Sequence, residues 1–180
     1  EHSLEIDSYL YEHSDFLVFM AAGNNGDRGE GSIGTPANSK NAVCVGSTQL
    51  RSYLDDTVID PIITSTSSFG PTFDGRFKPD IVAVGEGVVS AYSSSVESQY
   101  EAQHMRYSLW SKEDLDKLWN SLLTCSVHEK SGTSMSTPLV AGSALLIRQY
   151  FMQEQFWASL CSQSYQWCKS FEPSGYLLKA

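Results

Sequence analysis

Phe16-Leu17-Val18-Phe19-Met20-Ala21-Ala22-Gly23-Asn24-Asn25-Gly26 opens with an unbroken apolar run of strand length and closes in a turn. A strand apolar at every position must be covered on both faces, as in a parallel sheet flanked by helices. The Gly-Asn-Asn-Gly ending is a strong turn signal. Apolar runs at 42–47 and at Ile81-Val82-Ala83-Val84 repeat the pattern downstream. Upstream, Leu4, Ile6, Tyr9, Leu10 and Tyr11 recur at helical spacing, which predicts a helix over 3–13. Helix, buried strand, loop and strand again give an α/β fold: a parallel β-sheet sandwiched by helices.

The chain has 180 residues, enough for a single domain with a substantial core. With 41% hydrophobic and 18% charged residues, its composition is that of a globular protein, not of a disordered one. A net charge of −9 argues against nucleic-acid binding, which needs clustered Lys and Arg. No apolar stretch reaches bilayer-spanning length. The chain starts inside an amphipathic pattern, without an initiating Met or a secretory leader, and both ends look cut.

Residues 93–127 differ in character from their surroundings. Three serines and a polar stretch surround an amphipathic patch from Leu109 to Leu123, which predicts an insertion with its own helix starting near Ser111. From Thr133 to Phe151 the pattern is helical again, and Ala141, Gly142 and Ala144 give this helix a narrow face that suits the packed centre of a domain. Residues 152–171 have no clear period.

The chemistry gathers at Ser131-Gly132-Thr133-Ser134-Met135-Ser136-Thr137-Pro138. A serine hydroxyl attacks a carbonyl only when a base takes its proton and fixed donors stabilise the oxyanion. Ser134 stands where a helix begins, among N–H groups that have no intrahelical partner. Gly132 before it allows close approach of substrate. Considered alone, Ser134 is as well explained as a helix N-cap.

The run Gly132 to Pro138, followed by Val140-Ala141-Gly142, resembles the nucleophile segment of the subtilases, the subtilisin-like serine proteases. Ala21-Ala22-Gly23-Asn24 is similar to the strand end that carries that family's oxyanion asparagine. Ser67-Ser68-Phe69-Gly70-Pro71-Thr72 through Lys78-Pro79-Asp80 resembles the linking region, in the right order. The closing Pro173 to Ala180 is similar to a segment of larger subtilases. The resemblance covers nearly everything outside 93–127 and 152–171, and implies the C-terminal part of one catalytic domain, incomplete at its N-terminus. It implies a serine endopeptidase working through an acyl-enzyme on a polypeptide substrate, with Ser134 as nucleophile and Asn24 as oxyanion donor. Ala22, Gly23, Gly132 and Thr133 become candidate substrate-binding residues. Ala22 and Gly23 could equally be small for packing alone, and Asn24 could be a residue chosen for a positive-φ turn.

Several features depart from the family. No histidine here is followed by the Gly-Thr that marks the family's base, and no aspartate stands in an Asp-Ser/Thr-Gly context. The triad acid and base are therefore expected upstream, and His2, His13, His104 and His128 are expected to be solvated or structural. Val84 stands where the family usually has proline. No cofactor is expected to be required. Asp27 and Glu30 could hold a structural calcium, but their spacing fits no calcium loop and favours a solvated loop. Cys44 lies in an apolar run and is expected to be a buried free thiol, while a disulfide among Cys125, Cys161 and Cys168 would fit a secreted or extracytoplasmic protein. Two alternatives stay open: a non-catalytic pseudo-protease that binds without cutting, and the protease portion of a protease–transporter fusion.

Overall fold

The computed structural model describes residues 1–49, 62–91, 127–153 and 170–179. The predicted helix near Ser111, His104, Cys125, Cys161 and Cys168 lie outside the described residues, as does nearly all of the 93–127 insertion and of the 152–171 segment.

Helix α1 (His2–Glu12) leads into strand β1 (Phe19–Ala21), followed by β2 (Val43–Gln49) and β3 (Ile81–Glu86). The three strands form one parallel sheet in the order β1-β2-β3, as the unbroken apolar runs predict. β1 is shorter than its apolar run because Phe16 is exposed ahead of the sheet, although the Val43 N–H still reaches the carbonyl of Val18. Every residue from Ala42 to Thr48 is buried, so β2 is the spine of the sheet. β3 runs through Val84, where the family's proline would end the ladder; Val84 stands in register with Thr48 instead.

Two antiparallel strands, β4 (Val88–Ala91) and β5 (Val127–Lys130), form a ribbon that leads into α2 (Thr133–Met152). A five-residue helix α3 (Gly175–Lys179) follows. α2 lies across all three strands of the parallel sheet, burying Thr133, Ser136 and Ala144. Close approach needs a bare backbone beneath it: a Cβ on Gly85 would lie 2.1 Å from Oγ of Ser136 and 2.7 Å from the carbonyl of Gly132. Ala22, Ile33, Ala37 and Cys44 form a buried cluster, with Met20 of β1 packed against it. Leu139, Leu145, Leu146 and Ile147 of α2 are exposed, Leu145 and Leu146 by 67% each.

The ends of the sheet are fastened by buried polar groups. Nζ of Lys78, almost wholly buried, is 2.6 Å from Oδ2 of Asp80, and that carboxylate also accepts the Cys44 N–H at 2.7 Å. An ammonium this deep is tolerated because a carboxylate neutralises it. The Asp7 carboxylate on α1 accepts the N–H groups of Lys40 and Asn41 just ahead of β2. Lys179 on α3 donates to the carbonyls of Lys40 and Ala42, and its own burial depresses its pKa. Both terminal helices are thereby fixed to the start of the same central strand.

Cys44 is wholly buried and free, and burial pushes its thiol from 9.0 to about 11. At pH 8 its thiolate fraction in the folded state is then roughly one in a thousand. Native protein treated with iodoacetamide at that pH leaves the Cys44 peptide unmodified by mass spectrometry, and urea-unfolded protein does not. Because the unfolded thiol ionises first, this group's contribution is fully present below pH 9.0 and lost as pH rises to about 11.

Candidate active site

α2 begins at the carboxyl end of the sheet, where β1 also ends, so the two segments with candidate chemistry meet there. Gly132 is the residue before the helix, with φ +143, a conformation that side chains disfavour. Its N–H donates to the carbonyl of Gly85 at 2.7 Å, which fixes the helix start over β3. The N-cap position carries no side-chain cap, so Ser134, the second helical residue, is not there to cap the helix. Ser134 is exposed, and among the described residues no hydrogen bond engages its hydroxyl. Its backbone N–H lies in the first turn, where no intrahelical acceptor exists. Pro138 occupies the position whose N–H would have met the carbonyl of Ser134, yet the helix continues to Met152.

Asn24 lies 109 positions before Thr133 and is joined to it by two hydrogen bonds. The backbone N–H of Thr133 donates to Oδ1 of Asn24 at 2.9 Å, and Oγ1 of Thr133 donates to the same oxygen at 3.1 Å. A backbone N–H can only donate, so the amide atom facing it must be the carbonyl oxygen. Nδ2 is therefore the outward end, and among the described residues it makes no hydrogen bond. The Gly23 N–H donates in turn to Oγ1 of Thr133 at 3.2 Å. A Cβ on Gly132 would lie 3.1 Å from Nδ2 of Asn24, so Gly132 keeps the space beside this amide clear.

The turn carrying Asn24 takes its unusual conformation at Gly23, with φ +108, and no described residue other than glycine has positive φ. Asparagine's tolerance of left-handed backbone therefore does not account for Asn24. Ala22 is buried in the cluster with Ile33, Ala37 and Cys44, beneath the site, and Gly23 is half-buried. Thr133 is wholly buried and reaches the site through Asn24.

Three of the four histidines, His2, His13 and His128, are among the described residues. His2 faces Glu5, and His13 stacks on Tyr9 while its Nδ1 lies 2.9 Å from the carbonyl of Tyr9. His128 is half-buried in β5, in register with Ser90. Asp27 and Glu30 are exposed, and among the described residues no group of three His, Cys, Asp or Glu could hold a metal ion.

An exposed serine at a helix start beside a clamped asparagine amide is the arrangement expected of an acyl-transfer site. Residues 2–164 match the subtilase family. The chain belongs to that family. It is 36% identical to the serine protease AprX of Bacillus subtilis over 137 residues, covering 74% of this chain and 26% of AprX. It is 26% identical over 244 residues to the serine protease/ABC transporter B family protein tagD of Dictyostelium discoideum, covering 97% of this chain and 12% of tagD. Among solved structures it superposes on a lanthipeptide protease (TM-score 0.55, 19% identity, 98% of this chain and 44% of that one). Sphericase gives a TM-score of 0.53 at 21% identity, over 97% of this chain and 41% of that one. The subtilisin-like fold is thus shared, and the chain spans less than half the length of each of these proteins.

The residue-level reading of the motif did not foresee the second role of Thr133, as the holder of Asn24. Thr133→Val removes both the donor to Asn24 and the acceptor for Gly23 while preserving shape. It is expected to lower unfolding stability by about 1–3 kcal/mol in urea titrations. Thr133→Ser, which keeps both bonds, should cost about 1 kcal/mol, the loss of one buried methyl.

Proposed function

We propose that this chain carries the nucleophile and oxyanion half of a serine endopeptidase active site. Oγ of Ser134 attacks the scissile carbonyl of a polypeptide, and a histidine outside this chain takes its proton. The carbonyl oxygen gains the negative charge, which the Ser134 N–H and Nδ2 of Asn24 stabilise. The amine then leaves with the proton returned by that histidine, water hydrolyses the acyl-enzyme, and an aspartate outside this chain orients the imidazole. The observation that carries this reading is the grip of Thr133 on Oδ1 of Asn24, which turns the amide's donor end outward beside the first turn of α2.

The rest of the catalytic domain is the partner this reading requires. The leucines exposed on α2 support it, because a helix apolar beyond one face belongs inside a domain. Among the described residues no strand pairs with the outer edge of β1, so the sheet too can be extended on that side. An extracytoplasmic location fits this reading, as secreted substrates would. A second reading, the protease portion of a protease–transporter fusion, is favoured by the similarity to tagD across 97% of this chain. The two are compatible, and transmembrane helices elsewhere in the full-length polypeptide would establish the fusion.

The test uses the full-length polypeptide and a fluorophosphonate probe. Wild type is expected to label and Ser134→Ala is not; equal labelling would remove Ser134 from its role. Asn24→Ala should lower kcat by about 10²–10³ with little change in KM, the range known for subtilisin's own side-chain donor. A wild-type protein that neither labels nor cleaves would leave the pseudo-protease alternative standing.

A further inference from the structure

Thr133 holds the side chain of Asn24 and accepts the Gly23 N–H, but it is not the turn's only support. Asn24 is exposed at the crest of a turn, and three further hydrogen bonds to that turn come from residues 66–68. The Ser68 N–H donates to the carbonyl of Gly23 at 2.9 Å. Oγ of Ser68 accepts the N–H of Asn25 at 3.0 Å. The Gly26 N–H donates to the carbonyl of Thr66 at 2.8 Å. One residue, Ser68, thus bonds to both neighbours of Asn24, one through its backbone and one through its side chain.

Ser68 is wholly buried, unlike the residue it braces. Its hydroxyl occupies the space that a side chain at position 23 would need: a Cβ on Gly23 would lie 2.9 Å from Oγ of Ser68. The positive φ of Gly23 and the placement of Ser68 are therefore one arrangement. The same strip reaches the sheet through Ser67, whose Oγ accepts the Ser47 N–H of β2 at 3.0 Å. The Asn24 turn is braced against a strip that is itself tied to the central strand.

An oxyanion donor works only when it is aimed before the charge develops, and small displacements at a reacting centre are costly in rate. Two anchors hold Asn24: Thr133 sets the amide's orientation and Ser68 sets the position of its backbone. We infer that Ser68 is a positioning residue for catalysis, acting through Asn24 without touching substrate. This rests on the oxyanion role proposed above for Asn24. Asn25 is exposed, so water can replace the lost bond in Ser68→Ala and the fold should survive.

The test is a double-mutant cycle in the full-length polypeptide, measuring kcat and KM on a peptide substrate and the melting temperature of each variant. Ser68→Ala is expected to lower kcat about tenfold, with KM changed by less than about twofold. Ser68→Cys, of similar volume with a weaker acceptor, should lose less. In the Asn24→Ala background, Ser68→Ala should change kcat by no more than about twofold, the spread shown by independent effects. Equal losses in both backgrounds, or an unchanged kcat in the single variant, would overturn the role of Ser68. If Asn24→Ala alone leaves kcat intact, the oxyanion assignment falls and takes this inference with it. A loss in Asn24→Ala with none in Ser68→Ala overturns the inference alone.

Discussion

The carbonyl end of the Asn24 side chain accepts two hydrogen bonds from Thr133, and the candidate site depends on that pairing. An amide has one accepting and one donating end. Satisfying the acceptor inside the protein leaves the donor to face outward, which is what an oxyanion requires. The pairing also joins the turn after β1 to the first residue of α2, as the Gly23 N–H does through Oγ1 of Thr133. Without it, Ser134 would be an exposed hydroxyl at the start of a helix and Asn24 a polar residue on a turn.

The rest of the fold serves to bring those ends within reach. Parallel strands place their carboxyl ends on one side, and clefts in such sheets form there. α2 can start over that edge only because the backbone beneath it is bare. Gly85 lets Ser136 and Gly132 descend onto β3, where Oγ of Ser136 donates to the carbonyl of Ala83 at 3.0 Å. At the other end of the strands, Asp7, Lys78, Asp80 and Lys179 fasten both terminal helices around the start of β2. The chemistry-bearing end and the anchoring end of the sheet are thus built from different residues, with the apolar cluster around Cys44 between them.

α2 is apolar beyond the face that it turns to the sheet. It packs against the sheet through its small residues, Ser136 and Ala144, and leaves leucines exposed. Exposed apolar side chains this numerous on one helix are costly in water unless something covers them.

The sequence by itself determined the elements and the family. Unbroken apolar runs specified buried parallel strands, and the helix over 133–151 matched α2, because these signals are local and periodic. The motif around Ser134 pointed to a nucleophile, while the positive φ of Gly23 and Gly132 emerged only from the structure. Only the tertiary structure shows how the neighbouring residues are placed. Ala22 lies in the buried cluster, and Asn24 does not have the positive φ of a left-handed turn residue. Thr133 bonds to the asparagine and Ser68 to its neighbours, through hydrogen bonds that span 109 positions from Asn24 and 43 from Asn25. Such bonds depend on where the chain returns and which way each group then points, and no local pattern of residues encodes either.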